Sequence, residues 1–296
     1  MVTDTAKRKA QDFVPDSQKM NRVRPATNAL FVAMFVVLAA MAIIPVIFVF
    51  IVSISSETSI REVGYSFFPI ELSNTAYMFL WNERGTILNA LGISVLVTGV
   101  GTVLGLFLTT TMGYVLSRPV FKLKGFYTWV VFIPMIFNGG MLASYVINTN
   151  LLRLSDTVWS LILPRLATAV GVFYLRQYIL EVPDDILDAA RIDGCRDFGL
   201  FWKIVCPVIK PALASWASLT LIARWNDFFW PLLFLNKTPK FTLMVSVSML
   251  PLSDGLATPW QVILAGTTLV IVPSVLLYLA MQTFQKAGAL EGAIKG

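Results

Sequence analysis

From Ala29 to Ile54 the chain runs 26 residues without one charged side chain. A helix crosses the hydrocarbon core of a bilayer with about 20 predominantly apolar residues, and in that core only helices and closed barrels satisfy their own backbone. The stretch is too long for a signal-peptide core and no small-residue cleavage site follows it. It reads as a retained first span. Five further stretches follow, at Leu88–Leu116, Phe126–Ile147, Val158–Leu175, Pro211–Leu235 and Pro259–Phe284. The expectation is an all-α polytopic membrane protein with six transmembrane helices. Composition agrees, with 56% hydrophobic and 14% charged residues, against about 45–50% and about 25% in soluble domains. That balance excludes a disordered chain, a soluble basic domain that binds nucleic acid, and a secreted disulfide scaffold. Cys195 and Cys206 have no metal-ligand spacing, and the chain has no histidine. No metal site and no catalytic residue is expected.

Orientation follows from Lys and Arg in the connecting segments. The N-terminus, loop 117–125, loop 176–210 and the C-terminus together hold 16, while the opposite set holds 5: Arg61, Arg84, Arg153, Lys237 and Lys240. The richer side is cytoplasmic, so both termini lie inside. The organisation expected is a cytoplasmic tail over 1–28, a six-helix membrane domain over 29–284 containing the long inner loop 176–210, and a cytoplasmic tail over 285–296. Tyr65, Phe67, Phe68, Tyr77 and Trp81 fall in an outer loop and suit an interfacial belt or a lid. In the second span Gly101 and Gly105 form a GxxxG, read as ordinary close helix packing.

Two places carry chemistry. The first is inside the membrane. Arg224 and Asp227 are three apart on one expected helix, so they share a face and can pair. Ionisable groups at that depth cost about 2.5–3.5 kcal/mol each on insertion scales and face a bundle interior or a cavity. A structural ion pair and contact with a transported solute are both open, and Arg165 has the same choice between an acidic solute and a carbonyl of a neighbouring helix. The second place is loop 176–210. Pro183 followed by Asp184 and Asp185 marks a helix start, Ile186, Leu187, Ala190 and Ile192 give it an apolar face, and Gly194 suits a stop or sharp turn. Phe198, Phe201, Trp202 and Val205 begin a second amphipathic stretch that Pro207 and Pro211 end. Such a helix–turn–helix can enter a groove of another protein.

Asp188-Ala189-Ala190, then Gly194, Ile204 and Pro207, fall at the spacing of the cytoplasmic loop in permease subunits of binding-protein-dependent ABC importers. The chain resembles that family over roughly residues 29–296. Asp188 stands where Glu is usual and Cys206 where Leu is usual. Ala189 to Gly194 resembles the version in maltose-type carbohydrate permeases, as do Trp225-Asn226-Asp227-Phe228 and Trp230-Pro231. Asn138-Gly139-Gly140-Met141 resembles the branch for complex oligosaccharides, including alginate-type systems.

The resemblance implies a type I ABC importer permease in a bacterial inner membrane, surrounded by lipid. A second permease, two ABC ATPase subunits, an extracytoplasmic binding protein and a sugar or oligosaccharide are its implied partners. Asp185, Asp188, Ala189, Ala190, Asp193, Gly194, Ile204 and Pro207 would couple it to the ATPases. No GxxxxGK[ST] phosphate loop occurs in the sequence, so ATP and Mg belong to the partners and the chain itself carries no cofactor. Rings stack on sugar faces while amides and hydroxyls bond them, which makes Asn138, Tyr145, Arg224, Trp225, Asn226, Asp227 and Trp230 candidates for the path. Two other classes remain open: a permease of the same fold for a non-sugar solute, and a secondary transporter driven by an ion gradient.

Overall fold

The structure is a computed structural model that describes residues 25–137, 139–250 and 260–294, with the side chains of the last stretch to residue 282. The described residues are helical, joined by short irregular segments. Helix α1 spans Pro25–Ser53 with Pro45 inside it. Through Ile51 it is a unit by itself, and the chain from Val52 onward forms a second.

In the second unit, α2 (Glu57–Val63) and α3 (Thr75–Asn82) precede the longest internal helix, α4 (Arg84–Ser117). At 34 residues it is about 51 Å long. Its buried face is a run of small residues: Ser94, Thr98, Gly101, Gly105, Thr109 and Gly113. Small side chains let backbones approach closely where lipid offers no hydrophobic drive between helices. Then come α5 (Lys124–Ile136) and α6 (Gly140–Val146), α6 continuing as a π-turn to Leu151.

The expected fourth span is not one helix. The chain forms α7 (Trp159–Ile162), a 3-10 turn at Leu163–Arg165, and then α8 (Ala169–Leu180). Pro164 lacks the amide that would continue an α-helix, and Thr168 is extended at φ −99°, ψ 135°. Val158–Leu175 is therefore corrected to two pieces around a break at 166–168, and α8 runs on past Leu175.

In the inner segment, α9 (Asp184–Ile192) and α10 (Asp197–Leu200) follow, with a π-turn at Phe201–Val205 and a short turn Cys206–Val208. An 80° bend leads into α11 (Lys210–Trp225), where Pro211 removes a backbone donor and its ring opposes the preceding turn. The expected fifth span is also corrected: α11 stops at Trp225 and the chain restarts as α12 (Phe229–Phe234). Finally come α13 (Leu243–Met249) and α14 (Trp260–Ile294).

Three helices, α1, α4 and α14 to Gln282, are long and apolar enough to cross a membrane alone. Counting each bent pair as one crossing, α5 with α6 and Asp197–Val208 with α11, raises the number to five. The sequence expectation of six needs α7 and α8 together as a broken crossing.

Around α4 lie α8 and α11, with α14 behind α11 and α13 between α4 and α14. One apolar cluster joins Ile87 and Ala90 of α4, Trp225, Leu243 and Ala265. Another, at the other end of α4, joins Tyr114, Ile179, Leu187, Leu200, Phe201 and Val205. It fixes α9 and α10 to the ends of α4 and α8.

Candidate functional site

The two helix breaks face each other. Arg165, in the turn before the first break, is ion-paired through Nη1 to Asp227 Oδ2. Asp227 lies within the second break, and its Oδ1 also accepts the Trp230 amide at 3.5 Å, at the start of α12. In return, Arg224 Nη2 donates to the Arg165 carbonyl at 2.5 Å. Each break thus supplies the charge that satisfies the other. A helix interrupted inside a membrane frees carbonyls and amides that must find partners within the protein, and here one guanidinium and one carboxylate take them.

The expected pairing of Arg224 with Asp227 is therefore corrected. Their spacing works only on a continuous helix, and α11 ends between them at Trp225. Asp227 takes Arg165 instead, and Arg224 takes a carbonyl.

Arg224 needs room, and α4 provides it. A Cβ at Gly101 would lie 2.7 Å from Arg224 Nη1, and one at Gly105 would lie 2.9 Å from the Leu166 carbonyl oxygen. The GxxxG seats a guanidinium and the broken strand of backbone beside it, as well as packing helix against helix. Beside this seat opens a cleft of about 330 Å³ lined by Arg165, Arg224, Thr102, Thr109, Trp216 and Thr220, among others. Asp227 does not line this cleft; with Arg165 and Arg224 it lines a second, much smaller cavity that also holds Ser94, Thr98 and Thr242. Among the described residues, Arg224 Nη1 and Thr102 Oγ1 are buried polar atoms without a hydrogen-bond partner.

The other path candidates scatter. Tyr145 and Trp230 both stack on Phe234, with ring centroids 5.9 and 5.4 Å away. Trp225 is buried in the cluster with α4, α13 and α14. Asn226 accepts from Ser274 at 3.1 Å. Asn138 lies outside the described residues. Sequence reasoning passed over Trp216 and the threonines. Close approach seats Trp216 on α8: a Cβ at Gly171 would lie 2.4 Å from its indole, a contact no sequence pattern reports.

The inner segment is built differently. Leu187 is 1% exposed and anchors α9. Asp184 and Asp185 occupy its first turn, where they complement the helix dipole. Its end is a Schellman motif: the Cys195 amide donates to Ala190 O at 2.9 Å and the Gly194 amide to Arg191 O at 3.0 Å. Gly194 has φ +83°, the left-handed region where a side chain is strained. Asp188, Ala189, Asp193 and Gly194 are exposed, while Ala190 is half-buried against the chain's own core. Asp188 pairs with Arg191 at 2.6 Å. Ile204 packs on the same cluster and Pro207 opens the turn before the 80° bend. Ile192 is 87% and Phe198 73% exposed.

A third feature was not anticipated. Asp156 and Arg153 have positive φ, at 54° and 52°. The Asp156 carboxylate accepts the amides of Asn236 and Lys237 at 3.1 and 3.3 Å and Lys240 Nζ at 2.9 Å. The Lys240 hydrogen bond first, then the Asn236 amide, hold its carboxyl below the ordinary carboxylate range. Loop 151–157 is thereby tied to segment 236–240. Among the described residues, no group of three or more acidic, Cys or His side chains is placed to hold a metal ion.

The sequence signature described as "Binding-protein-dependent transport system inner membrane component" matches residues 89–288. Protein LplC of Bacillus subtilis (strain 168) is 32% identical, over 94% of this chain and 97% of LplC. The arabinooligosaccharides transport system permease protein AraQ of Halalkalibacterium halodurans is also 32% identical, over 93% of this chain and 99% of AraQ. A crystal structure of a bacterial ABC transporter involved in the import of the acidic polysaccharide alginate matches with TM-score 0.77 and 25% identity, over 92% of this chain and 98% of that one. The chain belongs to the family of binding-protein-dependent transport system inner membrane components, and its fold is that of an ABC importer permease.

Proposed function

We propose that this membrane protein is the non-ATPase subunit that, with a second permease, forms the path for a sugar or oligosaccharide in an ATP-driven importer. An extracytoplasmic binding protein delivers the solute, and two ABC ATPase subunits with ATP and Mg drive the switch between inward- and outward-facing states. The carbohydrate reading is supported by relatives named for arabinooligosaccharide transport and for alginate import. In this reading the chain crosses the bacterial inner membrane six times, the broken pair α7 and α8 included. Both termini are cytoplasmic, in keeping with 16 basic residues on that side against 5 on the other.

One observation carries the proposal. The inner segment is fixed to the bundle by a buried Leu187 yet turns Ala189, Ile192 and Phe198 outward. Exposed apolar side chains beside a rigid, glycine-ended turn suit a groove on another protein. Asp185, Asp188, Ala189, Asp193 and Gly194 would face that groove, while Ala190, Ile204 and Pro207 set the angle at which the segment is held.

Asp188→Lys in the assembled complex tests this. It should reduce ATPase-subunit retention or uncouple hydrolysis from transport, while the permease still inserts. Wild-type retention, stimulation and transport together would sink the coupling role. Stimulation of hydrolysis by a sugar-loaded binding protein separates a sugar from a non-sugar solute, and uptake without any ATPase subunit would point to an ion-driven carrier. A reporter fused after Gly296 should be active only on the cytoplasmic side.

A further inference from the structure

The cleft beside the two helix breaks carries charge of one sign. Its ionic lining is two guanidiniums, Arg165 and Arg224. Asp227 pairs with Arg165 and is absent from this lining, and it shares a smaller cavity with both arginines. Two cations with one anion leave a net positive charge at membrane depth, where charges are balanced or serve a pathway. The Asp227 side chain is 14% exposed, but Arg165 keeps 35% of its own surface, so it reaches the cleft. Arg224 and Thr102 also belong to this lining; Arg224 Nη1, seated against Gly101, and Thr102 Oγ1 are buried and lack a hydrogen-bond partner.

The remaining lining suits a sugar ring. Trp216 stacks on Tyr174 at 5.4 Å, which fixes the orientation of its indole, and Thr102, Thr109 and Thr220 belong to the lining, the Thr220 hydroxyl donating to the Trp216 and Ala217 carbonyls and free to accept. An aromatic face with hydroxyls recognises a sugar, and a guanidinium recognises a carboxylate by paired charge-assisted hydrogen bonds. The volume of about 330 Å³ lies at the small end of ligand sites, sized for one or two rings.

We propose that this cleft is a transit site for an acidic sugar, with Arg165 and Arg224 receiving the carboxylate and Trp216 a ring face. The proposal rests on the reading of the chain as a sugar permease and narrows its solute to the uronic-acid class.

The test uses the assembled complex in nanodiscs, without binding protein or ATP, and two probes of equal length: digalacturonate and its dimethyl ester. Digalacturonate should bind more tightly than the ester by about ten- to a hundredfold, and added salt should narrow the gap. Arg224→Met should erase the preference, Arg224→Lys should keep part of it, and Asp227→Asn should widen it. Equal binding of both probes, no binding of either by the wild-type complex, or an undiminished preference in Arg224→Met would each overturn the proposal. Competition by inorganic phosphate at the same concentration as the sugar acid would do so too, because it would make the site one for any anion. These measurements need no coupling, so failure of the Asp188→Lys test leaves them standing. Equal binding of the ester leaves the sugar reading intact.

Discussion

Two arginine–aspartate pairs in this chain share chemistry and differ in setting. Asp188–Arg191 sits on one helix at 2.6 Å with side chains 64% and 43% exposed. Arg165–Asp227 joins two interrupted helices, with Asp227 only 14% exposed. On the surface, water competes for both ions and the pair is worth about 0–1 kcal/mol. Between the breaks, removing one ion strands the other in a poor solvent. The first pair can be spent on a partner protein at little cost to the fold. The second is part of the fold.

The largest expected effect comes from breaking the inner pair. Asp227→Ala should destabilise the protein by about 2–4 kcal/mol, below the 3–5 kcal/mol of a fully enclosed pair because Arg165 is partly exposed. A double-mutant cycle in detergent unfolding should find Arg165 and Asp227 coupled more strongly than Arg224 and Asp227. The reverse order would restore the pairing that the sequence suggested. Next comes the seat on α4. Gly105→Ala would press on the Leu166 backbone carbonyl and should cost about 1–3 kcal/mol. Gly99→Ala meets open space and should stay within about 0.5 kcal/mol. Equal costs would mean that the breaks are held by something other than close approach. Asp188→Ala should change stability by less than about 1 kcal/mol, whatever it does to partner binding.

The smallest effect is on the outer tie. The folded-state pKa of Asp156 is depressed, so its contribution is fully present above the unfolded carboxylate value and is lost as pH falls through the folded one. The protection of the Asn236 and Lys237 amides, taken against the intrinsic exchange rate at each pH, should hold at neutral pH and fall only below the ordinary carboxylate range. Loss of protection near pH 6 would contradict the assignment.

The inner segment was legible in the sequence because its signals are local. Pro183, Asp184 and Gly194 mark α9 from both ends, and Gly194 stands at the stop, with φ +83°. The membrane site was only half legible. Its charged residues stand out in apolar runs, and their presence was read correctly. Their partners were not, because the chain breaks at 166–168 and 226–228 have weak local marks: Pro164 is the only proline at the first, and none lies inside the second. Hydropathy sees both as continuous spans. The role of Gly101 and Gly105 as a seat for Arg224 depends on residues more than 100 positions away, which no periodicity reports.

If the two regions divide the work as described, one measurement separates them: the amount of ATPase subunit retained by the complex carrying Ala189→Trp and by the complex carrying Arg224→Met. Ala189 is exposed on α9 and makes a cleaner probe than half-buried Ala190. Ala189→Trp should lose most of the ATPase subunit while the permease stays folded and inserted. Arg224→Met should retain it at the wild-type level. Full retention in Ala189→Trp, or equal loss in both, would contradict the account.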